Sequence, residues 1–406
     1  MDPVRRQYET YPYPARDPAD EDRRLIVGSP SDPIEIDHFL FRGRRDWSRP
    51  FRALIAGGGA GDALVMIAQK LADAGRPAEL TYVDMSEASR AVAEARMERR
   101  GLSATYVTGS LLDAADLPGA PFDYIDCCGV LHHLPDPQAG FAALAGALSP
   151  EGGMGLMVYA PLGRDGVYPM QEAFRALLGG DAPETQVALA REALGALPET
   201  NGFLRNPFVG DHKESDAGLY DLLLHSRDRP YSVAELLAAL EGAGLGLVSF
   251  LEPMRYDPAQ YLPGTPAFRE RLAALSEPER WAMAERLAGN MRMHVVYAAP
   301  AARAGQAMAR MAADAVPRLN GLEAGALARK VAQDGGFRIT VSGLRHWVEI
   351  PKPTAPLLAR IGGGRSLGDI SKGAGLDWFA FAQAFGPAVR ALTGVNLLRF
   401  SKGLKS

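Results

Sequence analysis

Short apolar runs alternate with amphipathic segments over most of the chain. Runs at 53–56, 79–84, 104–108, 122–129 and 154–160 predict five strands, and the segments between them carry apolar residues at helical spacing. After an interruption the pattern resumes, with strands predicted at 245–251 and 294–298. Strands and helices in this alternation are typical of a parallel α/β sheet with helices on both faces.

Three segments depart from the alternation. Residues 1–48 are rich in proline and aromatic residues, and the run YETYPYP predicts an irregular arm, because each proline pushes the residue before it to extended geometry. The arm either packs on the core or lies across a pocket as a cap. Residues 161–231 predict a loop-rich insertion with a helix at 183–197, placed where a lid over a substrate would form. After a linker at 299–306, the remaining residues predict a small α+β unit.

The composition is that of an ordinary globular protein, with 47% hydrophobic and 23% charged residues over 406 positions. No window approaches the ~18 continuous apolar residues of a membrane span, and the first residues lack the apolar stretch of a signal peptide. Cys127 and Cys128 are adjacent in an apolar run, which favours buried thiols over a disulfide. We therefore expect a cytoplasmic protein that does not enter the membrane.

The charge is unevenly distributed. Residues 301–406 contain 15 Lys and Arg against 6 Asp and Glu, although the whole chain has a net charge of −4. The basic segment either docks on the acidic body, presents a solvated face, or binds an acidic partner or nucleic acid.

The run ALIAGGGAG, at 53–61, predicts a strand, a glycine turn and the start of a helix. Gly57, Gly58, Gly59 and Gly61 leave bare backbone at the carboxyl end of the strand, where a ligand lies in open α/β sheets. The dinucleotide fingerprint requires glycine at the sixth position from Gly57, but Asp62 stands there, and NAD is therefore disfavoured.

This glycine turn and the run FDYIDCCGVLHHLPDP, at 122–137, resemble motifs of the class I S-adenosylmethionine-dependent methyltransferases. The resemblance implies an α/β fold: a doubly wound, seven-stranded Rossmann-like sheet whose last strand is antiparallel, an inserted lid and a small C-terminal α+β, winged-helix-like domain. The YPYP element and the run RDRPYSVAEL are loosely similar to a bacterial branch that includes protein lysine methyltransferases. The implied domains are an arm or cap at 1–48, an S-adenosylmethionine-binding domain at 49–300 with its insertion at 161–231, and a basic accessory domain at 307–406.

The resemblance also implies which residues bind S-adenosylmethionine and its product S-adenosylhomocysteine. Asp84, at the end of the second strand, is placed to accept hydrogen bonds from the ribose hydroxyls. Two positions depart from the family pattern: Ile55 and Ser110 stand where acids are common, so the methionine ammonium group is expected to rely on carbonyls near Ala56 and Gly129. The candidate cofactor-binding residues are Ala56, Gly57, Gly58, Gly59, Gly61, Asp84, Met85, Ser110, Leu111, Cys128, Gly129 and Val130.

The candidate catalytic residues are His132, His133, Tyr159 and His225. The insertion adds a dense group of polar residues, which either orient an acceptor or belong to an ordinary surface: His212, Asp221, Asp228 and Tyr231. No metal is expected, because adjacent histidines on one loop cannot both point inward and a third ligand is not apparent.

The implied reaction is transfer of a methyl group to a nitrogen or oxygen acceptor, with a protein side chain and a small metabolite both left open. Methylation of nucleic acid is disfavoured, because the proline that precedes a pyrimidine-attacking cysteine is replaced by Asp126 and no Asn/Asp-Pro-Pro-aromatic motif follows the fourth strand. The alternatives are a silent S-adenosylmethionine-binding module and a dinucleotide oxidoreductase. A homodimer is also left open.

Overall fold

A computed structural model describes residues 3–341 and 344–404. The strands are β1 Phe51–Ala56, β2 Ala78–Asp84, β3 Thr105–Thr108, β4 Phe122–Cys128, β5 Leu148–Tyr159, β6 Leu245–Phe250, β7 Met293–Pro300, β8 Pro317–Leu319, β9 Gly336–Val341, β10 Leu344–Glu349 and β11 Leu398–Phe400. The helices are α1 Pro3–Thr10, α2 Pro33–Leu40, α3 Asp62–Asp73, α4 Glu87–Arg99, α5 Pro137–Gly146, α6 Val167–Leu178, α7 Pro183–Ala196, α8 Gly202–Arg205, α9 Asp211–Glu214, α10 Asp216–Leu219, α11 Val233–Gly242, α12 Pro266–Ala273, α13 Glu277–Ala288, α14 Ala301–Ala307, α15 Ala324–Asp334, α16 Ala355–Leu358, α17 Leu367–Gly373 and α18 Trp378–Gly394. No helix within these residues has the length and hydropathy needed to cross a membrane.

The central sheet has seven strands in the order β3-β2-β1-β4-β5-β7-β6. Strands β1 to β5 are parallel, and β7 runs antiparallel to both β5 and β6. The predicted seven-stranded, doubly wound sheet with an antiparallel last strand is confirmed. Because β1, β2 and β4 are parallel, their carboxyl ends meet at one edge of the sheet, and a hydrophobic core covers each face.

Local signals in the sequence set the helix boundaries near this edge. Ser86 is the N-cap of α4, and its hydroxyl accepts a hydrogen bond from the Ser89 amide at 3.1 Å. Ser232 and Glu235 form the predicted capping box at the start of α11.

The prediction of an irregular arm at 1–48 is wrong in part. Helix α1 includes Tyr8, Glu9 and Thr10, the first three residues of the YETYPYP run, and α2 lies further along the arm. The prolines at 12 and 14 restrict only the residues that precede them, so α1 ends just before them instead of being prevented.

Two other boundaries differ from expectation. The insertion at 161–231 is largely helical, from α6 to α10, with a core of its own, and a π-turn at Tyr220–Leu224 follows α10. The linker predicted at 299–306 is wrong, because β7 extends to Pro300 and α14 follows directly. Ala304 of this helix packs against Gly246, where a Cβ atom would approach within 2.8 Å of the Ala304 side chain.

The C-terminal region has its own hydrophobic core, formed between Ala309 and Phe400, and it contains a β9–β10 hairpin together with helices, in line with the predicted α+β unit. Strand β8 was not predicted, and it pairs with β11. The chain around β11 contacts α2 through buried polar side chains, which we call the junction cluster: Asp32, Glu35, Asp37, Asn396, Arg399 and Ser401.

Within the described residues, ion pairs balance two of the three acids of the junction cluster, and hydrogen bonds hold the third, Asp37. Arg399 forms ion pairs with Asp32, at 3.3 Å, and with Glu35. Glu35 also accepts a hydrogen bond from the Asn396 amide at 2.9 Å, and Asp37 accepts one from the Ser401 hydroxyl at 2.6 Å. The basic C-terminal region therefore docks on an acidic helix of the body through this contact.

Candidate functional site

A cavity of about 530 Å³ lies at the carboxyl ends of β1, β2 and β4. Its walls come from the glycine turn, the ends of these strands, the N-terminal arm and the insertion. Gly59, Asp84 and Gly129 all line it, so that three separate stretches of sequence converge on one site.

The glycine turn presents bare backbone to the cavity. Gly57 and Gly59 have φ values of +67° and +50°, in the left-handed region that favours glycine. A Cβ atom on Gly57 would lie 2.5 Å from a methyl group of Val130, which leaves no room for a side chain. The amide of Gly59 donates a hydrogen bond to Asp84 at 2.9 Å, which ties the turn to the end of β2.

The wall continues from Asp84 to the loop after β3. Asp84 also accepts a hydrogen bond from the Ser86 amide at 2.9 Å, and burial raises the pKa of its carboxyl group. Met85, Ser110 and Leu111 line the same end of the cavity. The Ser110 oxygen accepts a hydrogen bond from the Leu112 amide at 3.1 Å, which leaves its hydroxyl proton available to a ligand.

The end of β4 forms the opposite wall with Cys128, Gly129 and Val130. Gly129 has φ of +76°, and its amide is bonded to the Met157 carbonyl at 3.0 Å. Burial raises the pKa of the Cys128 thiol. Cys127 points into the core, and neither sulfur is therefore activated as a nucleophile.

Four of the predicted site residues do not line the cavity. Ala56 is buried in the core, and Gly61 lies beside Ala93, where a Cβ atom would approach within 2.8 Å of the alanine methyl group. His132 and His225 lie behind the wall, with their rings 4.1 Å and 3.7 Å from the ring of His133.

The other end of the cavity is polar. Four side chains line this end and His225 lies behind them, and we call these five residues the polar cluster: Tyr8, His133, Tyr159, Asp221 and His225. Asp221 is 4% exposed and accepts hydrogen bonds from the hydroxyls of Tyr8, at 3.1 Å, and Tyr159, at 3.2 Å. Burial raises the pKa of Asp221, and within the described residues no basic side chain forms an ion pair with it.

Hydrogen bonds to the backbone assign the tautomers of the two histidines in this cluster. The Nδ1 atom of His133 lies 2.6 Å from the Arg227 carbonyl, which only accepts, so Nδ1 carries the proton and Nε2 is a free acceptor. The Nδ1 atom of His225 accepts from the Arg227 amide at 3.1 Å, so its Nε2–H donates to Tyr8 at 3.3 Å. Burial lowers the pKa of both rings, which are therefore neutral near pH 7.

Arg164 closes the polar end. Its guanidinium lies 3.7 Å from the centre of the Tyr159 ring and donates to the Asp228 carboxylate at 2.9 Å. Both side chains are buried, and one Asp228 oxygen has no hydrogen-bond partner.

Two groups of side chains bring potential metal ligands within 4.8 Å of one another: His132, His133 and Asp228, and His133, Asp221 and His225. In the second group the rings of His133 and His225 are stacked at an interplanar angle of 16°. Their lone pairs therefore run side by side and do not converge on one point, as a tetrahedral metal site requires. The absence of a metal stays a prediction.

Sequence reasoning missed several residues that line the cavity: Tyr8, Tyr13, Asp126, Arg164 and Arg227. The aromatic YETYPYP run was a usable signal for the two tyrosines, since a cap was one of its two interpretations. Of the polar residues singled out in the insertion, Asp221 lines the cavity, whereas the His212 ring contacts Phe203 at a tilt of 57° and Tyr231 packs in the core.

The residues at the glycine end fit S-adenosylmethionine. The backbone from Gly57 to Gly59 lines the cavity without side chains, and Asp84 offers a carboxylate for ribose hydroxyls. Leu111 adds an apolar wall for a flat base, and the volume of the cavity is within the ~300–1,000 Å³ usual for small-molecule sites.

Comparison with known proteins agrees with this assignment. Residues 54–154, from β1 into β5, match the family model described as a methyltransferase domain. Together with the strand order, this match shows that the chain contains a class I S-adenosylmethionine-dependent methyltransferase domain.

Individual relatives differ in how much of the chain they share. An uncharacterized protein from Synechococcus sp. is 35% identical over 243 residues, which are 58% of this chain and 57% of that protein. A ubiquinone biosynthesis O-methyltransferase from Alkalilimnicola ehrlichii is 27% identical over 172 residues, or 38% of this chain and 67% of the enzyme. The chain thus matches little more than half the length of the Synechococcus relative.

Among solved structures, PKMT2 from Rickettsia typhi, determined in complex with AdoHcy, superposes with a TM-score of 0.60 at 13% identity. The superposition covers 92% of this chain and 76% of PKMT2. At this identity the likeness concerns the fold, and it extends over the C-terminal region as well as the sheet.

Proposed function

We propose that this protein transfers a methyl group from S-adenosylmethionine to a nitrogen or oxygen atom of an acceptor bound at the polar cluster. The observation that carries the proposal is one continuous cavity, with a nucleoside-compatible cradle at one end and a buried, polar cluster at the other. When bound, S-adenosylmethionine supplies an already activated methyl group. The chain then has to hold the acceptor in line and remove its proton.

His133 is the residue we assign to proton removal. Its Nε2 atom is unprotonated because Nδ1 donates to the Arg227 carbonyl, and the ring lines the cavity. Asp221 lies close to His133 and favours the protonated ring, so a proton that reaches Nε2 is stabilised by a carboxylate. Neutral before the reaction and charged after it, His133 meets the requirement of a general base.

Tyr8 and Tyr159 position Asp221 and exclude water from it. Each donates one hydroxyl hydrogen bond to a different oxygen of the carboxylate. Tyr8 belongs to the N-terminal arm, which is held over the cavity by Glu9, whose carboxylate accepts from the amides of Glu87 and Ala88 at the start of α4. The arm therefore forms part of the acceptor site.

The second part of the proposal concerns the chemical class of the acceptor, which is either a protein side chain or a small molecule. The whole-chain fold likeness to PKMT2 motivates a protein side chain as acceptor, and the partial identity to a ubiquinone biosynthesis O-methyltransferase motivates a small molecule. We test both by incubating the purified protein and methyl-labelled S-adenosylmethionine with the protein fraction and, separately, with the small-molecule fraction of a cell extract.

A matched pair of glycine variants controls this experiment. Gly57→Ala places a Cβ atom 2.5 Å from Val130, whereas Gly146→Ala adds a methyl group in open space on α5. We expect the first variant to lose at least ~10-fold in label transfer and the second to behave as the unmodified protein. Binding of S-adenosylmethionine without label in either fraction would favour a silent module, and binding of NAD in its place would favour an oxidoreductase.

A further inference from the structure

Asp126 is a buried carboxylate that forms no ion pair with a basic side chain of the described residues. It lies on β4, is 4% exposed, and its side chain lines the cavity. Its hydrogen-bond donors are the Ser31 hydroxyl and the Cys128 thiol, the latter at 3.5 Å, and no cation contributes to its titration among residues 3–341 and 344–404. Burial raises its pKa to about 6, so the group remains largely ionised at neutral pH.

Several other buried acids of this protein form ion pairs, although Asp37 in the junction cluster and Asp221 in the polar cluster form none within the described residues. Glu35 is paired with Arg399, Asp228 with Arg164, and Glu21 with Arg96 and Arg100. Because a buried charge without a partner is costly, an acid that is left unpaired beside a cavity points to a cationic ligand group.

The position of Asp126 in the sheet specifies which ligand group that is. Asp84 ends β2, the glycine turn follows β1, and Asp126 lies on β4, the next strand in the order. The carboxylate is therefore separated from the ribose-binding Asp84 by the whole glycine turn. Ser29 and Pro30 line the same cavity, and Ser31, which donates to Asp126, follows them in the chain.

Ile55 makes the assignment specific to this chain. At this position the methyltransferase resemblance leads one to expect an acid, but Ile55 is 1% exposed and packs in the core. Its register partner on the neighbouring strand is Asp126. We propose that Asp126 binds the α-ammonium group of S-adenosylmethionine, held in place by Ser31, and so replaces the acid absent from position 55.

This inference rests on the proposed function and supersedes the expectation that backbone carbonyls alone bind the ammonium group. It is tested by titration calorimetry with S-adenosylhomocysteine and with an analogue that lacks only its α-amino group. Asp126→Asn keeps an acceptor for the Ser31 hydroxyl but removes the charge. We expect it to weaken binding of S-adenosylhomocysteine about 10- to 100-fold and to leave binding of the deaminated analogue within about twofold.

Stability provides an independent readout. Because Asp126 is buried and unpaired, Asp126→Asn should leave the melting temperature unchanged or raise it. The matched control is Asp116→Asn, which removes an exposed carboxylate from the loop after β3. It should change the binding affinity for neither ligand.

Each other result overturns the inference. Equal weakening of both ligands would make Asp126 a structural residue, and unchanged binding of both would return the role to the carbonyls. A variant that fails to fold would show that the apo protein needs the carboxylate, which contradicts the proposal. If the unmodified protein bound neither ligand, the proposed function itself would fail.

Discussion

The polar cluster and the junction cluster are both buried groups of acids and their partners, yet they differ in how charge is balanced. In the junction cluster, Arg399 neutralises Asp32 and Glu35 across the contact between two regions of the chain. In the polar cluster, Asp221 accepts hydrogen bonds from the hydroxyls of Tyr8 and Tyr159, forms no ion pair within the part of the chain that the structure describes, and faces a cavity.

This difference distinguishes buried acids that stabilise the fold from buried acids that are available for function. An acid whose charge is fully compensated contributes to holding the fold, and its pairing explains its burial without a ligand. An acid without an ion pair beside a cavity can still attract a positively charged group of a ligand or of the reaction. Composition and burial alone would have grouped the two clusters together.

The largest expected effect comes from breaking the junction cluster. Arg399→Met leaves Asp32 and Glu35 buried without their shared cation, and we expect it to lower the free energy of unfolding by about 3–5 kcal/mol. The measurement is denaturant unfolding. Arg390→Met, on the exposed side of α18, should change stability by less than about 0.5 kcal/mol, and an equal loss in both variants would contradict the assignment.

Removing the charge of the polar cluster should affect activity strongly and stability little, in contrast to the junction variant. Asp221→Asn keeps an acceptor for one of the two tyrosine hydroxyls and no longer stabilises a proton on His133, so we expect methyl transfer to fall about 100-fold. The free energy of unfolding should change by less than about 1 kcal/mol, because no ion pair is broken.

Asp216→Asn is the control for this charge removal, since Asp216 is an exposed acid of the same insertion that pairs with Arg191 at the surface. It should retain full activity. If Asp221→Asn were instead strongly destabilising and its activity followed its folded fraction, the polar cluster would be structural like the junction cluster.

The smallest effect tests whether the arm belongs to the site. Tyr8→Phe removes the hydroxyl that links Asp221 to His225, and we expect activity to fall about 10-fold, in line with one lost hydrogen bond to a charged group. Tyr11→Phe is the matched control, because Tyr11 contacts Tyr220 through its ring. Equal activities in the two variants would remove the arm from the acceptor site.

The meeting of the glycine turn, Asp84 and Gly129 at one cavity could be predicted because it depends on local signals. The glycines of the turn, the strand that ends at Asp84 and the cap at Ser86 are each encoded within a few residues. Parallel strands then bring them together at one edge without further information.

The polar cluster could not be assembled from sequence in the same way. Tyr8 and Asp221 are far apart along the chain and meet only because an arm that was expected to be irregular folds into α1 over the cavity. The junction cluster was missed for the same reason, since Arg399 gave no local sign of contact with α2. In the sequence, Asp126 was noted only because it replaces the proline of a motif for nucleic-acid methylation. Its position beside Ile55 could not be seen there, because the register of β1 and β4 is set by the folded sheet.

The π-turn at Tyr220–Leu224 has backbone hydrogen bonds that span five residues, one more than the four spanned in an α-helix. Deleting a single residue between 222 and 224 would tighten this turn and rotate His225 relative to Asp221 by about 100°. The strands and their loops would be untouched, but the pocket wall would present different side chains. A change of one residue in the length of this segment could therefore alter the specificity for the acceptor without any change in the sheet.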